Sequence, residues 1–350
     1  MAQPDTAPLY ALVATLGKEA SSVEPMPGGA STRLYYRVFI GESSSAVAMF
    51  VPDGSKAEEI GKGGASAKRW PFLDVRDLLL SRGVRVPKLL AEDTGTGWIL
   101  LEDLGDDTLA NALLRAPQDK PALYTRAVRD LARAQKAFGD LKDLPEDCVV
   151  RSRAFDEDLL NWELHHFREW GLDARGKALS AEDATSFAEA AGRIARRIAA
   201  WPRGFTHRDY QSRNLMLVDG ELVWIDFQDA LLGPRVYDLV ALLNDSYQEF
   251  DRSFVEARLD EFAAEAGVGT EARAALGREF DLVTIQRKLK DAGRFVFIDR
   301  VKRNPSFLQF VVPSLHKVAR SIARLESSDA DVAELARVLR RVLPDELAVT

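Results

Sequence analysis

The sequence predicts an α+β protein with a small β-rich N-terminal lobe, residues 1–103, and a larger α-helical C-terminal lobe, residues 104–350. Three observations carry this expectation. The apolar runs of the first hundred residues are short and rich in β-branched and aromatic side chains, the signature of strands. After Leu104-Gly105 the apolar residues recur at helical spacing instead. A length of 350 residues also exceeds that of a typical single domain.

In chain order, residues 33–40 (RLYYRVFI) and 46–51 (AVAMFV) read as two strands of a hairpin turning through residues 41–45. Ahead of them, Pro27-Gly28-Gly29-Ala30-Ser31-Thr32 is a loop of small residues. Over 72–82, Phe72, Val75, Leu78 and Leu79 share one helical face, and Gly83 supplies a stop. Residues 86–91 and 98–101 are two further short apolar segments, and a hinge is expected near 102–105. Helices are predicted over 124–138, 187–198, 236–250, 253–266, 280–297, 308–325 and 329–342, with one β-type island at 222–227.

Composition excludes several classes. Hydrophobic residues make up 46% and charged residues 29%, ordinary for a globular protein with a sizeable core. A net charge of −7 argues against a general nucleic-acid or anionic-membrane surface. No apolar run approaches the roughly 20 residues of a membrane span. Asp5, Lys18 and Glu19 bracket the only apolar stretch near the N-terminus, so a signal sequence is not expected. The single Cys148 rules out an intrachain disulfide framework and fits a reducing compartment, so a cytoplasmic protein is expected, with Cys148 structural or at the surface.

The chemistry is concentrated in Phe205-Thr206-His207-Arg208-Asp209-Tyr210-Gln211-Ser212-Arg213-Asn214-Leu215-Met216 and in Trp224-Ile225-Asp226-Phe227-Gln228-Asp229. Phosphoryl transfer needs a carboxylate near the acceptor hydroxyl and oxygen ligands that hold Mg²⁺ on the nucleotide phosphates. The pattern H-R-D-x-x-x-x-N supplies Asp209 and Asn214 from one short loop, and Asp226 ends a strand in a D-F-x sequence. A bare H-x-D-x-x-x-x-N arises by chance often enough to be only moderately specific. The ordering of small-residue loop, hairpin, hinge, motif and strand-Asp-Phe makes chance a poor explanation.

These segments, with residues 28–33, Gly97-Trp98-Ile99-Leu100-Leu101-Glu102-Asp103-Leu104-Gly105 and residues 225–243, resemble the aminoglycoside-phosphotransferase-like kinases, a branch of the protein-kinase-like bilobal fold. Residues 71–87, 207–216, 226–230, 233–239 and 286–293 are similar to those of bacterial kinases that phosphorylate the anomeric hydroxyl of N-acetylmuramate and N-acetylglucosamine in cell-wall recycling. The resemblance implies an enzyme using ATP and Mg²⁺ and a small-molecule sugar acceptor. It implies Asp209 as catalytic base and Asn214 and Asp226 as Mg²⁺ ligands. Gly28, Gly29, Ser31 and Thr32 would lie over the phosphates, and Glu102 to Leu104 would offer backbone hydrogen bonds to adenine. Asp238 would buttress the catalytic loop, or serve only as a favourable charge near a helix N-terminus. An aminoglycoside or other small alcohol as acceptor, and a nucleotide-binding pseudokinase, are the alternatives. Joint retention of Asp209, Asn214 and Asp226 argues against the last.

One departure stands out. The strand lysine that ordinarily grips the α/β-phosphates is replaced in Ala46-Val47-Ala48-Met49-Phe50, with Met49 near its position. Lys56, Lys62, Lys68 and Arg69 follow closely and are candidates to replace it, or are solvated loop charges. Gly61-Lys62-Gly63-Gly64-Ala65-Ser66 is not a P-loop, since its Lys precedes the Gly pair and no strand leads into it. His165 and His166 are adjacent on a helical pattern and are expected as surface polar residues rather than metal ligands. Arg287, Lys288, Lys290, Arg294, Arg300, Lys302 and Arg303 make a basic segment, expected either as a face meeting an anionic sugar or as a solvated face with Arg287 pairing Asp291.

Overall fold

The computed structural model describes residues 4–27, 33–41, 44–52, 69–139 and 141–348. In chain order the first elements are α1 (Ala7–Ala14), β1 (Ala20–Pro25), β2 (Leu34–Ile40), β3 (Ser44–Phe50), α2 (Pro71–Ser81), β4 (Leu89–Asp93), β5 (Trp98–Glu102) and α3 (Leu109–Arg115). Then follow α4 (Lys120–Phe138), α5 (Glu157–His166), α6 (Ala181–Ala199), β6 (Arg203–Thr206), β7 (Leu215–Val218), β8 (Glu221–Trp224) and β9 (Leu231–Pro234). The chain closes with α7 (Tyr237–Leu243), α8 (Arg252–Ala266), α9 (Thr270–Lys302), α10 (Val311–Leu325) and α11 (Ala330–Val342). Two compact units emerge. The first draws its described residues from 1–59, 66–117 and 213–228, the second from 118–212 and 229–350.

The first unit is built on a five-stranded antiparallel sheet in the order β1-β2-β3-β5-β4. The predicted hairpin is present, with Leu34 opposite Phe50 and Ile40 opposite Ser44. Strand alternation sends Tyr36, Val38, Ile40, Ala46, Ala48, Trp98 and Leu100 to one face, where they bury Leu9, Leu12 and Val13 of α1. Full burial of each large side chain there contributes about 1.5–3 kcal/mol. The island at 222–227 is one arm of a second hairpin, β7–β8, in which Leu215 faces Trp224 and Val218 faces Glu221. Asp219 and Gly220 make its two-residue turn at φ 50° and 78°, the left-handed pair that a tight hairpin demands. Leu217 N–H donates to Asp107 O, and Trp224 N–H to Arg85 O at 2.9 Å, which ties this hairpin to the N-terminal segments of its unit.

The second unit is helical, with β6 and β9 as its short antiparallel pair. Predicted helices appear as α4, α6, α8, α9, α10 and α11, with α4, α6, α8 and α9 longer than their periodicity marks. The helix expected over 236–250 stops at Leu243. Asn244 instead donates from its side chain to Thr284, and Asp245 takes its carboxylate to Ser212, so both leave the helical path to serve other segments. A π-helical turn at Phe167–Leu172 follows α5. There α9 approaches so closely that a Cβ on Gly293 would lie 2.7 Å from Phe167 Cα. His165 and His166 correct the surface expectation. His166 is buried and stacks on Trp162 at 5.1 Å, and His165 sets its edge against Phe187. Cys148 is buried. No described helix is long and apolar enough to cross a membrane.

Candidate active site

In the second unit the motif loop leaves β6 after Thr206, and its backbone is held almost entirely by side chains from elsewhere. Asp238, one residue into α7 and fully buried, accepts from His207 N–H at 2.7 Å and Arg208 N–H at 3.0 Å. Arg208 sits at φ 77°, a conformation that costs a non-glycine residue about 1–3 kcal/mol and persists only when its surroundings impose it. They do so on three sides. Asp238 takes its N–H, Arg287 Nη1 donates to its carbonyl at 2.7 Å, and its guanidinium lies 3.5 Å from Glu163. Gln286 Nε2 in turn donates to Glu163 at 2.7 Å. Further along, Ser212 N–H donates to Asp245 at 3.0 Å and Tyr210 O–H to Ala127 O at 2.9 Å.

Asp209 accepts from Arg287 Nη2 at 3.2 Å, and its side chain keeps 36% of its surface exposed. Burial of its remainder pushes the carboxyl up, but Arg287, Lys290, Arg208 and His207 outweigh this and hold it below the usual aspartate range. It is therefore an ionised acceptor at neutral pH. Burial pushes Asp238 the other way, up to about 7, against the two N–H donors and the Arg287 charge.

The first part of the basic segment is not the solvated face expected, although Arg287 does lie near Asp291. Arg287, Lys288 and Lys290 are buried with Asp291 inside α9's packing. Lys288 donates to Ser246 and to Asp291 at 2.8 Å, Arg287 lies 4.0 Å from Asp291, and Arg287 stands over the Tyr237 ring at 4.8 Å. Burial raises Asp291, but Lys288, Arg287 and Lys290 together drive it far below the usual range. These charges are the inner scaffold of the motif loop. Arg294, half-buried over the Phe297 ring, is further toward solvent.

In the first unit, Ile225 N–H donates to Asn214 O at 3.0 Å, extending the β7–β8 ladder so that Asn214 lies opposite Ile225 at its open end, with Asp226 the next residue along. Asp226 adopts φ 61° and presents a carboxylate that is 44% exposed. Gln228 Nε2 donates to its Oδ1 at 3.0 Å, and Arg33 Nη2 lies 3.7 Å from the same oxygen. Phe227 turns inward and stacks on Phe72 of α2 at 5.0 Å. An amide and a carboxylate, both hard oxygen donors, suit Mg²⁺. Among the described residues no cluster of three or more His, Cys, Asp or Glu is poised for a metal.

Gly28, Gly29, Ser31 and Thr32 lie outside the described residues, as do Lys56, Lys62 and Lys68. Glu102 and Asp103 have side chains committed to structure. Glu102 bonds Arg85 at 2.6 Å and Lys88 N–H at 3.0 Å; Asp103 accepts from Arg37 at 2.8 Å and Ser45 at 2.7 Å. These bonds outweigh burial and hold both carboxyls below their ordinary range. Leu104 follows, half-buried. Arg69 pairs with Asp77 at 2.6 Å and Glu92 at 3.3 Å. Sequence inspection did not single out Glu163, Gln286, Asp245 or Arg33, and it read Arg287 only as part of a basic face. Gln286 and Arg287 carried a signal through the segment likeness at 286–293, and Arg33 through the likeness at 28–33.

These features define a phosphotransferase, and the chain belongs to the APH phosphotransferase enzyme family, whose profile matches residues 22–276. It is 32% identical over 320 residues to the N-acetylmuramate/N-acetylglucosamine kinase of Neisseria meningitidis serogroup B, covering 87% of this chain and 88% of that one. It is 31% identical to the N-acetylmuramate/N-acetylglucosamine kinase of Pseudomonas aeruginosa, covering 90% and 87%. Its fold is kinase-like. A choline kinase from Cryptosporidium parvum superposes with TM-score 0.59 at 11% identity, covering 91% of this chain and 93% of that one. The gentamicin–APH(2″)-IIa complex gives 0.56 at 12% identity, covering 95% and 99%. The enzyme is thus a kinase with ATP as co-substrate and an alcohol as acceptor.

Proposed function

We propose that the enzyme transfers the γ-phosphoryl group of ATP to the anomeric C1 hydroxyl of N-acetylmuramate, N-acetylglucosamine or both, with Mg²⁺, in the cytoplasm. The observation that carries the acceptor is the likeness, at 31–32% identity over most of the chain, to relatives bearing that name. Asp209 accepts the proton of the attacking hydroxyl. An anomeric hydroxyl is more acidic than an ordinary alcohol, so a carboxylate held ionised by Arg287 is an adequate base. Phosphoryl transfer asks more for positioning than for covalent chemistry, and the bonds from Asp238 and Arg287 to the loop backbone supply it.

Asn214 and Asp226 are the residues that would hold Mg²⁺, which neutralises charge on the phosphate oxygens when bound. The 1–103 segment serves the nucleotide, with the backbone of Glu102 to Leu104 toward adenine and Gly28, Gly29, Ser31 and Thr32 over the phosphates. Residues 104–350 serve catalysis and the acceptor. The test is an acceptor panel with Mg-ATP, comprising both amino sugars, gentamicin and choline. The expected product is acid-labile and has lost its reducing end. A product that keeps its reducing end refutes C1 transfer, and activity confined to gentamicin or choline refutes the acceptor.

A further inference from the structure

The position where a strand lysine would meet the nucleotide holds Met49, fully buried between Tyr35 of β2 and Ile99 of β5. The cation must come from elsewhere. Strand alternation assigns Leu34, Tyr36, Val38, Ala46, Ala48 and Leu100 to the core on α1's side. The opposite sheet face therefore carries Tyr35, Arg37, Val47, Met49, Ile99 and Leu101. Arg33 precedes β2 on the phase of Tyr35 and Arg37, one strand over from Met49 and two positions along. Arg37 is already committed to Asp103 and Asp106, Arg85 to Glu102, and Arg69 to Asp77 and Glu92. Arg33 points its guanidinium at Asp226, with Nη2 3.7 Å from Oδ1 and only 14% of its side chain exposed.

We propose that Arg33 replaces the missing strand lysine: it binds phosphate oxygens of the nucleotide directly and, through Asp226, prepositions the proposed metal ligand. The inference rests on the nucleotide-site reading above. A guanidinium presents a planar fork of N–H donors that matches two phosphate oxygens at once, which an ammonium cannot do. The pairing with Asp226 is long enough to be shared rather than closed, so the same guanidinium can serve both partners. Charge is also balanced: with the metal absent, the Asp226 carboxylate has a cation facing it.

The test is calorimetric binding of ATP and of adenosine, without acceptor and with EDTA in place of Mg²⁺, to the wild type and to Arg33→Met. Removing the metal keeps effects relayed through Asp226 and Mg²⁺ out of the readout. Arg33→Met is expected to weaken ATP about tenfold to a hundredfold, the size of one or two charge-assisted hydrogen bonds, and to leave adenosine within about twofold. ATP affinity within about twofold of wild type, or an equal loss for adenosine, overturns the proposal. Arg33→Lys, which keeps charge and bulk, serves where the Met variant fails to fold, with the same pattern expected at smaller size and the same results overturning it. The acceptor assignment fails separately, as normal ATP binding without transfer to either amino sugar.

Discussion

Replacing Asp238 with alanine tests whether the motif loop is held from behind rather than by its own sequence. In the wild type both carboxylate oxygens are occupied, by His207 N–H at 2.7 Å and Arg208 N–H at 3.0 Å, and the group is fully buried. Alanine leaves both donors buried without an acceptor. Each orphaned donor costs about 1–3 kcal/mol, so the pair costs about 2–6 kcal/mol. Arg208, at φ 77°, then relaxes toward ordinary φ, because one of the three contacts that impose its conformation is gone. Asp209 moves with it, since Arg287 grips both the Arg208 carbonyl and the Asp209 carboxylate. Asp238→Asn keeps one carbonyl acceptor but turns an amide N–H₂ toward the second donor, and it should lose about half as much. The assay is urea unfolding followed by kcat at saturating substrates. Stability should fall in the order wild type, Asn, Ala, with kcat of the Ala variant down more than about tenfold. An alanine variant that loses less than about 1 kcal/mol and keeps its kcat refutes the argument.

Further outcomes follow from the same geometry. Asp238 has its folded pKa raised to about 7, above its unfolded value, so its contribution to stability is fully present below the unfolded pKa and is lost as pH rises through about 7. Between about pH 4 and 7 the wild type should therefore lose stability relative to Asp238→Asn by up to about 1.4 kcal/mol per pH unit, measured by urea unfolding across that range; parallel curves would refute it. Asp209→Asn should lower kcat by orders of magnitude and leave ATP binding near wild type, checked by steady-state kinetics and calorimetry. Asp226→Asn should weaken Mg-dependent ATP binding as well as turnover, measured as the Mg²⁺ dependence of the ATP Kd. Gly293→Ala places a Cβ 2.7 Å from Phe167 Cα and 3.2 Å from His166 O, both backbone, so α9 must shift; a loss of about 1–3 kcal/mol is expected in thermal or urea unfolding.

Much of the fold and the candidate reacting groups was already legible in the chain because those signals are local. The β2–β3 hairpin follows from two runs of β-branched and aromatic residues around a turn, and it forms where expected. Asp209 and Asn214 lie within one short motif, and Asp226 with Phe227 ends a strand a few residues on, so their kinship required no knowledge of contacts. The Asp219-Gly220 turn was equally readable, and would have marked β7 as the partner of β8. Periodicity located most helices of the second unit but not their ends, which are set by what the flanking residues bond. Asn244 and Asp245 leave α7 because Thr284 and Ser212 claim their side chains.

Tertiary structure alone decided what supports those groups. Arg287, Lys288 and Asp291 look solvated on paper, since buried charges are rare and costly. They are buried because partners far away in sequence meet them: Asp209 and the Arg208 carbonyl for Arg287, and Ser246 for Lys288. Glu163 reaches Arg208 across 45 positions and Gln286 across 123. No spacing rule encodes such pairings. Arg33 is the same case in the first unit: its charge stands within a strand-like run, and only the fold sets it 3.7 Å from Asp226. The chain alone singled out the candidate reacting groups, because a motif is a local pattern of residue types. The field in which they react belongs to the fold, because desolvating a charge is tolerable only where distant segments bring its complement.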